Sequence, residues 1–147
     1  MPRRVPQRVA YLIARPAAFD VVISADTLCY FGDLSGVAQA AQHALRAGGH
    51  LVFTVEALPA ADTAPYRLRP NGRYAHTPGY LEAVLDAAGL LRKQISSEVL
   101  REEGGQPVDG WLVVASSAAG HPQRVAAHHA RMPAPAGGRA VAEVDSP

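Results

Sequence analysis

The chain has 147 residues, of which 48% are apolar, and its 14 basic and 13 acidic side chains leave a formal net charge of +1. This length fits one domain, and the even charge balance argues against a protein that binds nucleic acid or a membrane surface electrostatically. The one cysteine, Cys29, excludes an internal disulfide, zinc-finger ligand spacing is missing, and no apolar run approaches the ~18 residues of a membrane helix.

The first 18 residues form a basic start, with four arginines before the first acidic residue, Asp20. The apolar stretch Val9 to Ala14 is shorter than the centre of a secretory signal, which favours a cytoplasmic protein. We expect residues 1–18 to be poorly ordered or to form a short helix around Tyr11 to Ala14. A basic targeting peptide is the alternative.

The next segment has the order strand, helix, strand. Phe19–Ser24 and Leu51–Val55 are apolar runs typical of strands buried on both faces of a parallel sheet. We expect a helix between them that starts at a cap from Asp33 or Ser35 and ends at the glycine pair 48–49. Its apolar residues recur with the helical period at Val37, Ala40, Ala41, Ala44 and Leu45. Short links predict a right-handed crossover and therefore two parallel strands.

A second helix and a hairpin follow a proline-containing loop. Thr77 and Pro78 are typical of a helix start, and Gly89 of its end. Leu91–Leu100 and Trp111–Ala115 predict an antiparallel hairpin whose glycine-rich loop is longer than two residues. The apolar face of the helix is made of Leu81, Val84, Leu85 and Ala88.

Small, polar, proline and glycine residues dominate residues 117–147. Such a segment buries too little apolar surface to offset its ordering entropy, so we expect a disordered tail. Three histidines, His121, His128 and His129, fall inside it without pre-positioned partners, and we therefore expect no metal site.

Three segments between Val9 and Ser116 resemble the second half of the class I S-adenosylmethionine-dependent methyltransferases. Residues 19–31 look like the fourth strand of that family and the loop after it. Residues 45–53, with a leucine, a glycine pair and a strand, are similar to the approach to the fifth strand. Residues 72–90 look like the segment and helix before the sixth. The resemblance is strongest to predicted bacterial methyltransferases that are fused to tetratricopeptide repeats.

The resemblance stops at the cofactor-binding half of the family. The family holds its cofactor with a glycine-rich loop after the first strand and an acidic residue that ends the second. Here only eighteen residues precede Phe19, and none is glycine. The resemblance thus implies an α/β fold, a truncated Rossmann-like sheet over residues 19–116. Its two parallel strands would join a carboxyl-terminal antiparallel hairpin, with helices packed on the faces. A truncated gene, a misplaced start codon or a frameshift would explain the pattern.

The implied function is methyl transfer from S-adenosylmethionine to an unidentified acceptor, as part of a longer or complemented chain. By the resemblance, Asp26 would contact the substrate or the ammonium group of the cofactor, although a turn carboxylate is an equal alternative. Tyr30 would line the substrate face or belong to the core. The residues implied in cofactor binding are Ser24, Ala25, Asp26 and Thr27.

Further candidates follow the second strand at the same sheet edge. Glu56, Arg73 and Tyr74 are expected to bind substrate together with Tyr30. His76 is a candidate general base, because imidazole titrates near neutral pH. Methyl transfer mainly requires in-line positioning, so a base is not obligatory, and a solvent-facing histidine before a helix cap is the alternative.

The strand Asp20 to Ile23 is expected to present an unpaired edge, because its family neighbour is missing. We expect self-association, aggregation, pairing with Val9 to Ile13, or pairing with a complementing amino-terminal half. Two other functions stay open: a non-catalytic interaction module, and half of another doubly wound enzyme such as a reductase. No nucleic-acid or membrane partner is expected.

Overall fold

The computed structural model describes residues 5–118 and 140–143, with three helices and seven strands in those ranges. The helices are α1 (Gln7–Ile13), α2 (Ser35–Ala44) and α3 (Pro78–Ala87). The strands are β1 (Phe19–Ser24), β2 (Leu45–Ala57), β3 (Tyr66–Leu68), β4 (Tyr74–His76), β5 (Arg92–Glu103), β6 (Gln106–Ser116) and β7 (Val141–Glu143).

The strands form one mixed sheet around β2. Strand β1 is parallel to β2, and β7 is parallel to the other side of β1. On the opposite side of β2, β6 is antiparallel to it and β5 is antiparallel to β6. The short strand β4 pairs with the last two residues of β2, and β3 pairs with β4. This arrangement confirms the predicted α/β fold class with its parallel pair and carboxyl-terminal hairpin.

One hydrophobic core lies on one face of the sheet and receives side chains from all three helices. Alternate strand residues such as Val22, Leu51 and Val113 point into it, as the two-residue period of a strand requires. The other face carries Val21 and Ile23, which are half-buried and lie outside this core. The described helices thus cover one face of the sheet, whereas the sequence predicts helices on its faces, and the parallel part contains β7 and β4 in addition to the two predicted strands.

Helix α2 begins at Ser35, so Leu34 occupies the cap position instead of the predicted Asp33 or Ser35, and the helix ends earlier than predicted. Asp33 Oδ1 accepts hydrogen bonds from the backbone N–H and the hydroxyl of Ser35, at 2.9 and 2.6 Å. The helix ends at Ala44, and the predicted end at the glycine pair 48–49 is wrong. Leu45 already pairs with Phe19 of β1, so strand pairing extends the backbone before the glycines are reached.

Local signals specify α3 and also the turn of the hairpin. Thr77 Oγ1 accepts the N–H of Tyr80 at 3.3 Å, and Gly89 follows the helix at a φ of +84°, as predicted. The predicted long hairpin loop is wrong, because the ladder continues to the Glu103–Gln106 pair. Only the glycine pair 104–105 remains as a turn, with φ values of +57° and +75° that suit a two-residue hairpin.

The β1 edge is paired with part of the segment that the sequence predicts to be disordered. Val21, Val22 and Ile23 pair with residues 141–143 of β7. The stretch Val9 to Ile13, one predicted occupant of this edge, lies in α1 instead. Residues 119–139 and 144–147, with the three tail histidines, lie outside the described residues.

Candidate functional site

The loop after β1 forms one part of the site, at the carboxyl edge of the parallel strands. Asp26 has a φ of +53°, in the left-handed region that Asp tolerates better than most residues, and a single 3-10 turn follows at Leu28–Tyr30. Thr27 Oγ1 donates to the carbonyl of Ala25 at 3.2 Å, which fixes the bend. The Asp26 side chain is 61% exposed and points out of this loop.

Five charged side chains meet beside this loop and form what we call the arginine–carboxylate cluster. Arg101 hydrogen-bonds to Glu56 Oε1 and, through Nε, to Glu103 Oε1 at 2.7 Å. Arg73 Nη1 lies 2.9 Å from Glu103 Oε1 and 4.0 Å from Glu56 Oε1. Both arginines also approach Asp26, with N–O distances of 3.8 Å for Arg73 and 3.7 Å for Arg101. The cluster thus joins three carboxylates to two guanidinium groups.

Glu56 is the buried member of the cluster, with 1% of its surface exposed. Its Oε1 also accepts from Asn71 Nδ2 at 3.3 Å, whereas its Oε2 is buried without a hydrogen-bond partner in the structure. An unpaired buried carboxylate oxygen is costly, so such an oxygen is a candidate acceptor for a ligand N–H or O–H.

The charges of the cluster are mutually stabilised. A hydrogen bond with Tyr30 raises the pKa of Arg73. Burial lowers the pKa of Arg101, but the hydrogen bonds with Glu103 and Glu56 outweigh it and raise the value overall. The hydrogen bond from Arg101 lowers the pKa of Glu103. Both guanidinium groups therefore stay charged at neutral pH.

A bulge in the hairpin precedes Arg101 and helps to bring it to the cluster. The pairing of β5 with β6 shifts between Val99 and Arg101. The extra residue, Leu100, lies over Gly110, where a Cβ would be 2.2 Å from Leu100 Cδ1. A bulge bends its strand and redirects nearby side chains. Arg101 follows directly and bonds to Glu56 across 45 residues of sequence.

A cleft of about 680 Å³ adjoins the cluster. Tyr30 and Tyr74 line it, and the Arg73 guanidinium lies 5.8 Å from the centre of the Tyr30 ring. Tyr30 is 57% exposed, which excludes the alternative of a core aromatic. The remaining wall comes mainly from the 3-10 turn, α1 and α2, including Phe31, Gly32, Asp33, Val9, Val37 and His43. The cluster and the cleft therefore share the Tyr30–Arg73 contact.

His76 lies beneath this region. It is fully buried and stacks on Tyr80, with ring centres 5.8 Å apart. Its Nε2 lies 2.9 Å from the Gly32 carbonyl, so that nitrogen carries the proton and donates. Nδ1 is buried without a hydrogen-bond partner, and burial lowers the pKa of the ring. The alternative of a solvent-facing histidine is wrong, because β4 places His76 against Tyr66 and Tyr80.

The structure brings part of the predicted site together. Asp26, Glu56 and Arg73 meet in the cluster, and Tyr30 and Tyr74 line the adjoining cleft. Among the predicted cofactor residues, Ala25 is exposed like Asp26, whereas Ser24 and Thr27 are buried below the loop. The Asp26 carboxylate contacts two arginines and the Cys29 thiol, which differs from the alternative of a turn carboxylate bonded to nearby backbone N–H groups.

Sequence reasoning missed Arg101, Glu103 and Asn71. Arg101 and Glu103 belong to a strand without a functional motif, and the bulge that precedes Arg101 has no local sequence signal. Within residues 5–118 and 140–143, no three His, Cys, Asp or Glu side chains are placed to hold a metal ion. In the same ranges, no helix has the length and apolar character needed to cross a membrane.

Solved structures share this fold at low sequence identity. A phosphoethanolamine N-methyltransferase from Haemonchus contortus, in complex with phosphomonomethylethanolamine and S-adenosylhomocysteine, matches with a TM-score of 0.54 at 12% identity, over 71% of this chain and 35% of its own. An S-adenosylmethionine-dependent methyltransferase from Methanosarcina mazei matches with a TM-score of 0.51 at 14% identity, over 71% of this chain and 61% of its own. A possible histamine N-methyltransferase from Thermotoga maritima matches with a TM-score of 0.50 at 11% identity, over 70% of this chain and 58% of its own.

These likenesses establish the fold, which is that of class I methyltransferases. The chain spans 35% to 61% of the length of these three structures. No protein-family model and no curated protein sequence matches the chain.

Proposed function

We propose that this chain contributes to S-adenosylmethionine-dependent methyl transfer onto an unidentified acceptor, in the cytoplasm and as part of a longer or complemented polypeptide. The shared fold supports the reaction class, although a fold hosts many functions and the site must carry the argument. Ligands of open α/β sheets bind at the carboxyl ends of the strands, where the cluster and the cleft lie.

The observation that carries the proposal is the meeting of three separate chain segments around one buried carboxylate. Glu56 is the last residue but one of the central strand, Asp26 follows β1, and Arg73 precedes β4, yet ion pairs link all three. Glu56 Oε2 remains without a partner. The cluster therefore combines an exposed carboxylate at Asp26, two partly buried guanidinium groups and a buried acceptor, which suits a ligand that carries ammonium and carboxylate groups.

The residues present fit the amino-acid end of S-adenosylmethionine. Asp26, with its exposed carboxylate, would hold the ammonium group, and Arg73 would attract the carboxylate. When bound, the cofactor supplies an electrophilic methyl group. The residues that the structure describes include no Gly-x-Gly-x-Gly loop after a strand, and the adenosine end would need contacts from further polypeptide.

The acceptor would occupy the cleft between Tyr30 and Tyr74. Aromatic walls orient a small molecule with little loss of conformational entropy, and orientation is the main requirement of methyl transfer. In this proposal His76 positions the Gly32 carbonyl in the wall of the cleft, because its one N–H is already donated there. Ser24 and Thr27 support the loop from below.

The test is a titration of the full chain with S-adenosylhomocysteine, followed by the backbone amide signals in NMR spectra. We expect saturable shifts at Ala25 and Asp26, and an affinity at least fivefold lower in Asp26→Asn, since about 1 kcal/mol is a modest value for a charge-assisted hydrogen bond. Asp109→Asn, which removes an exposed carboxylate from the hairpin, is the matched control and should bind like the unaltered chain.

A second pair of variants extends this experiment. Glu56→Gln should weaken binding as well, whereas Glu102→Gln, an exposed neighbour in the same hairpin, should not. Absence of saturable shifts, or equal affinity in Asp26→Asn, would contradict the proposal. Shifts at this loop with NADH instead of S-adenosylhomocysteine would favour the alternative of a reductase half-domain.

One observation favours a second candidate function, a non-catalytic interaction module. The β1 edge of the sheet pairs with a strand of only three residues, so few backbone hydrogen bonds protect this edge. Peptide binding at β1 without any S-adenosylhomocysteine binding at Asp26 would support this candidate over methyl transfer.

A further inference from the structure

Strand β7 covers only part of the β1 edge. Strand β1 has six residues, and β7 pairs with three of them, Val21, Val22 and Ile23. One further backbone hydrogen bond joins the Asp20 N–H to the carbonyl of Ala140 at 3.2 Å. Such a short ladder contributes few hydrogen bonds, so it opens more readily than the long ladders in the middle of the sheet.

The edge accepts a strand of defined chemistry. Ala140 and Ala142 pack against the hydrophobic core, whereas Val141 lies on the other face and is 56% exposed. Residues paired in a parallel ladder point to the same side of the sheet, so Ala142 stands beside the buried Val22. The edge therefore selects a parallel strand with small residues at alternate positions.

The number of residues between β6 and β7 is large for the distance that separates the two strands. Ser116, His50, Val21 and Val141 form one row across four strands. The two ends of the connection are thus about 14 Å apart, three times the strand spacing of ~4.8 Å. The connection from Ser116 to Val141 contains 24 residues, 117 to 140, which reach ~80 Å when extended. This length is several times the distance between the two ends.

An apolar surface continues from this edge onto the open face of the sheet. Val21, Ile23 and Val52 are half-buried there and lie outside the single core. Parallel strands are normally covered on both faces, and the described helices cover only one. A partner that pairs with β1 would therefore reach a second, adjoining apolar contact.

We propose that β1 is a strand-acceptor site, occupied within the chain by β7 and available to a parallel strand of a separate polypeptide when β7 leaves. The partner strand carries small residues at the positions of Ala140 and Ala142, and its polypeptide covers Val21 and Ile23 on the open face. The site rests on pairing geometry at the edge and is independent of methyl transfer.

The test compares two full-length variants that add the same charge to β7. In Ala142→Asp the carboxylate would enter the core and release β7, whereas in Val141→Asp it would point to solvent. The probe is a fluorescent peptide with the sequence of residues 139–145, RAVAEVD. We expect Ala142→Asp to bind it at least tenfold tighter than the unaltered chain, because the competing strand is gone, and Val141→Asp to bind it like the unaltered chain. A peptide of the same composition in scrambled order is the binding control.

A measurement on the unaltered chain keeps the proposal testable if Ala142→Asp does not fold. A tethered strand has an effective concentration on the order of mM, so the peptide should displace β7 at about that concentration and shift the Val21–Ile23 amides. Equal binding by both variants, or no shift at β1, would overturn the proposal. A dimer of the unaltered chain that is lost in Ala142→Asp would assign the edge to a second copy and overturn a separate partner.

Discussion

At the scale of single residues, His76 shows how surroundings fix a protonation state. Its Nε2–H donates to the Gly32 carbonyl, and its Nδ1 is buried without a hydrogen-bond partner in the structure. A second proton would create a buried and unpaired N–H beside Tyr80. Burial accordingly holds the pKa of His76 below its ordinary value of 6.5.

This environment predicts a pH dependence of stability. The unfolded chain binds a proton at His76 near pH 6.5, whereas the folded chain resists it. The stabilisation is therefore complete above that pH and is lost as the pH falls toward the folded-state pKa, by at most about 1.4 kcal/mol per pH unit. Urea unfolding at several pH values between about 7.5 and 5.5 measures the slope.

The matched variants separate His76 from the other histidines. In His76→Gln we expect a flatter pH dependence over this range, because the titrating group is gone. His50→Gln removes an exposed histidine and should keep the slope of the unaltered chain. An unchanged slope in His76→Gln would show that the ring titrates alike in both states.

At the scale of secondary-structure elements, the bulge in the β5–β6 hairpin depends on a residue without a side chain. A Cβ at position 110 would lie 2.2 Å from Leu100 Cδ1 and 2.6 Å from the Val55 carbonyl. The first contact is with a side chain and the second with backbone of the central strand. A side chain at position 110 would therefore clash with a side chain, which can shift, and with the backbone of the central strand, which shifts less easily.

We expect Gly110→Ala to destabilise the chain by about 2 kcal/mol, as overpacking of a tight site does. In a Leu100→Ala background the cost should fall by about 1 kcal/mol but not vanish, because the Val55 carbonyl remains. Urea unfolding of the two single variants and the double variant gives the coupling. Gly79→Ala is the control, because a Cβ added there would meet no atom from outside its own helix turn within 4 Å, and it should be neutral or stabilising. Additive costs would refute the contact with Leu100.

Elements with local signals could be predicted from the sequence, and elements that depend on distant partners could not. Helix α3 has its own cap at Thr77 and its own stop at Gly89. Strand β7 has only Val141 as a strand-forming residue and exists because the β1 edge accepts it. Helix α2 ends at Ala44 for the same reason, because Leu45 pairs with β1 before the chain reaches the glycines that would stop a helix.

The candidate site divides in the same way. Asp26, Glu56 and Arg73 could be chosen because they follow or precede strands at one sheet edge, and the structure places them together. Arg101 could not, because its approach follows a bulge whose register comes from packing over Gly110. The burial of His76 depended on two tyrosines, Tyr66 and Tyr80, whose positions no periodicity indicates.

At the scale of the whole molecule, β2 is the centre and β7 the margin of the sheet. Strand β2 pairs with β1 on one side and β6 on the other, so most of its amides are shielded by neighbouring strands. We expect amide hydrogen exchange of Val52 to Val55 to require global unfolding, whereas Val141 to Glu143 exchange by local opening. Increasing urea should accelerate the amide exchange of Val52 to Val55 much more steeply than that of Val141 to Glu143. Identical urea dependence for both groups would mean that β7 opens only with the whole sheet.

The distance in sequence between β1 and β7 has a consequence for biosynthesis. Val141, the partner of Val21, is made 120 residues after it, which takes roughly 6 to 24 s at ~5 to 20 residues per second. The helices α2 and α3 and the strands β2 to β6 are made during that interval, and until β7 follows them the apolar β1 edge has no neighbour on that side. The speed of translation between Val21 and Val141 therefore sets how long this edge is open to other nascent chains or to a chaperone.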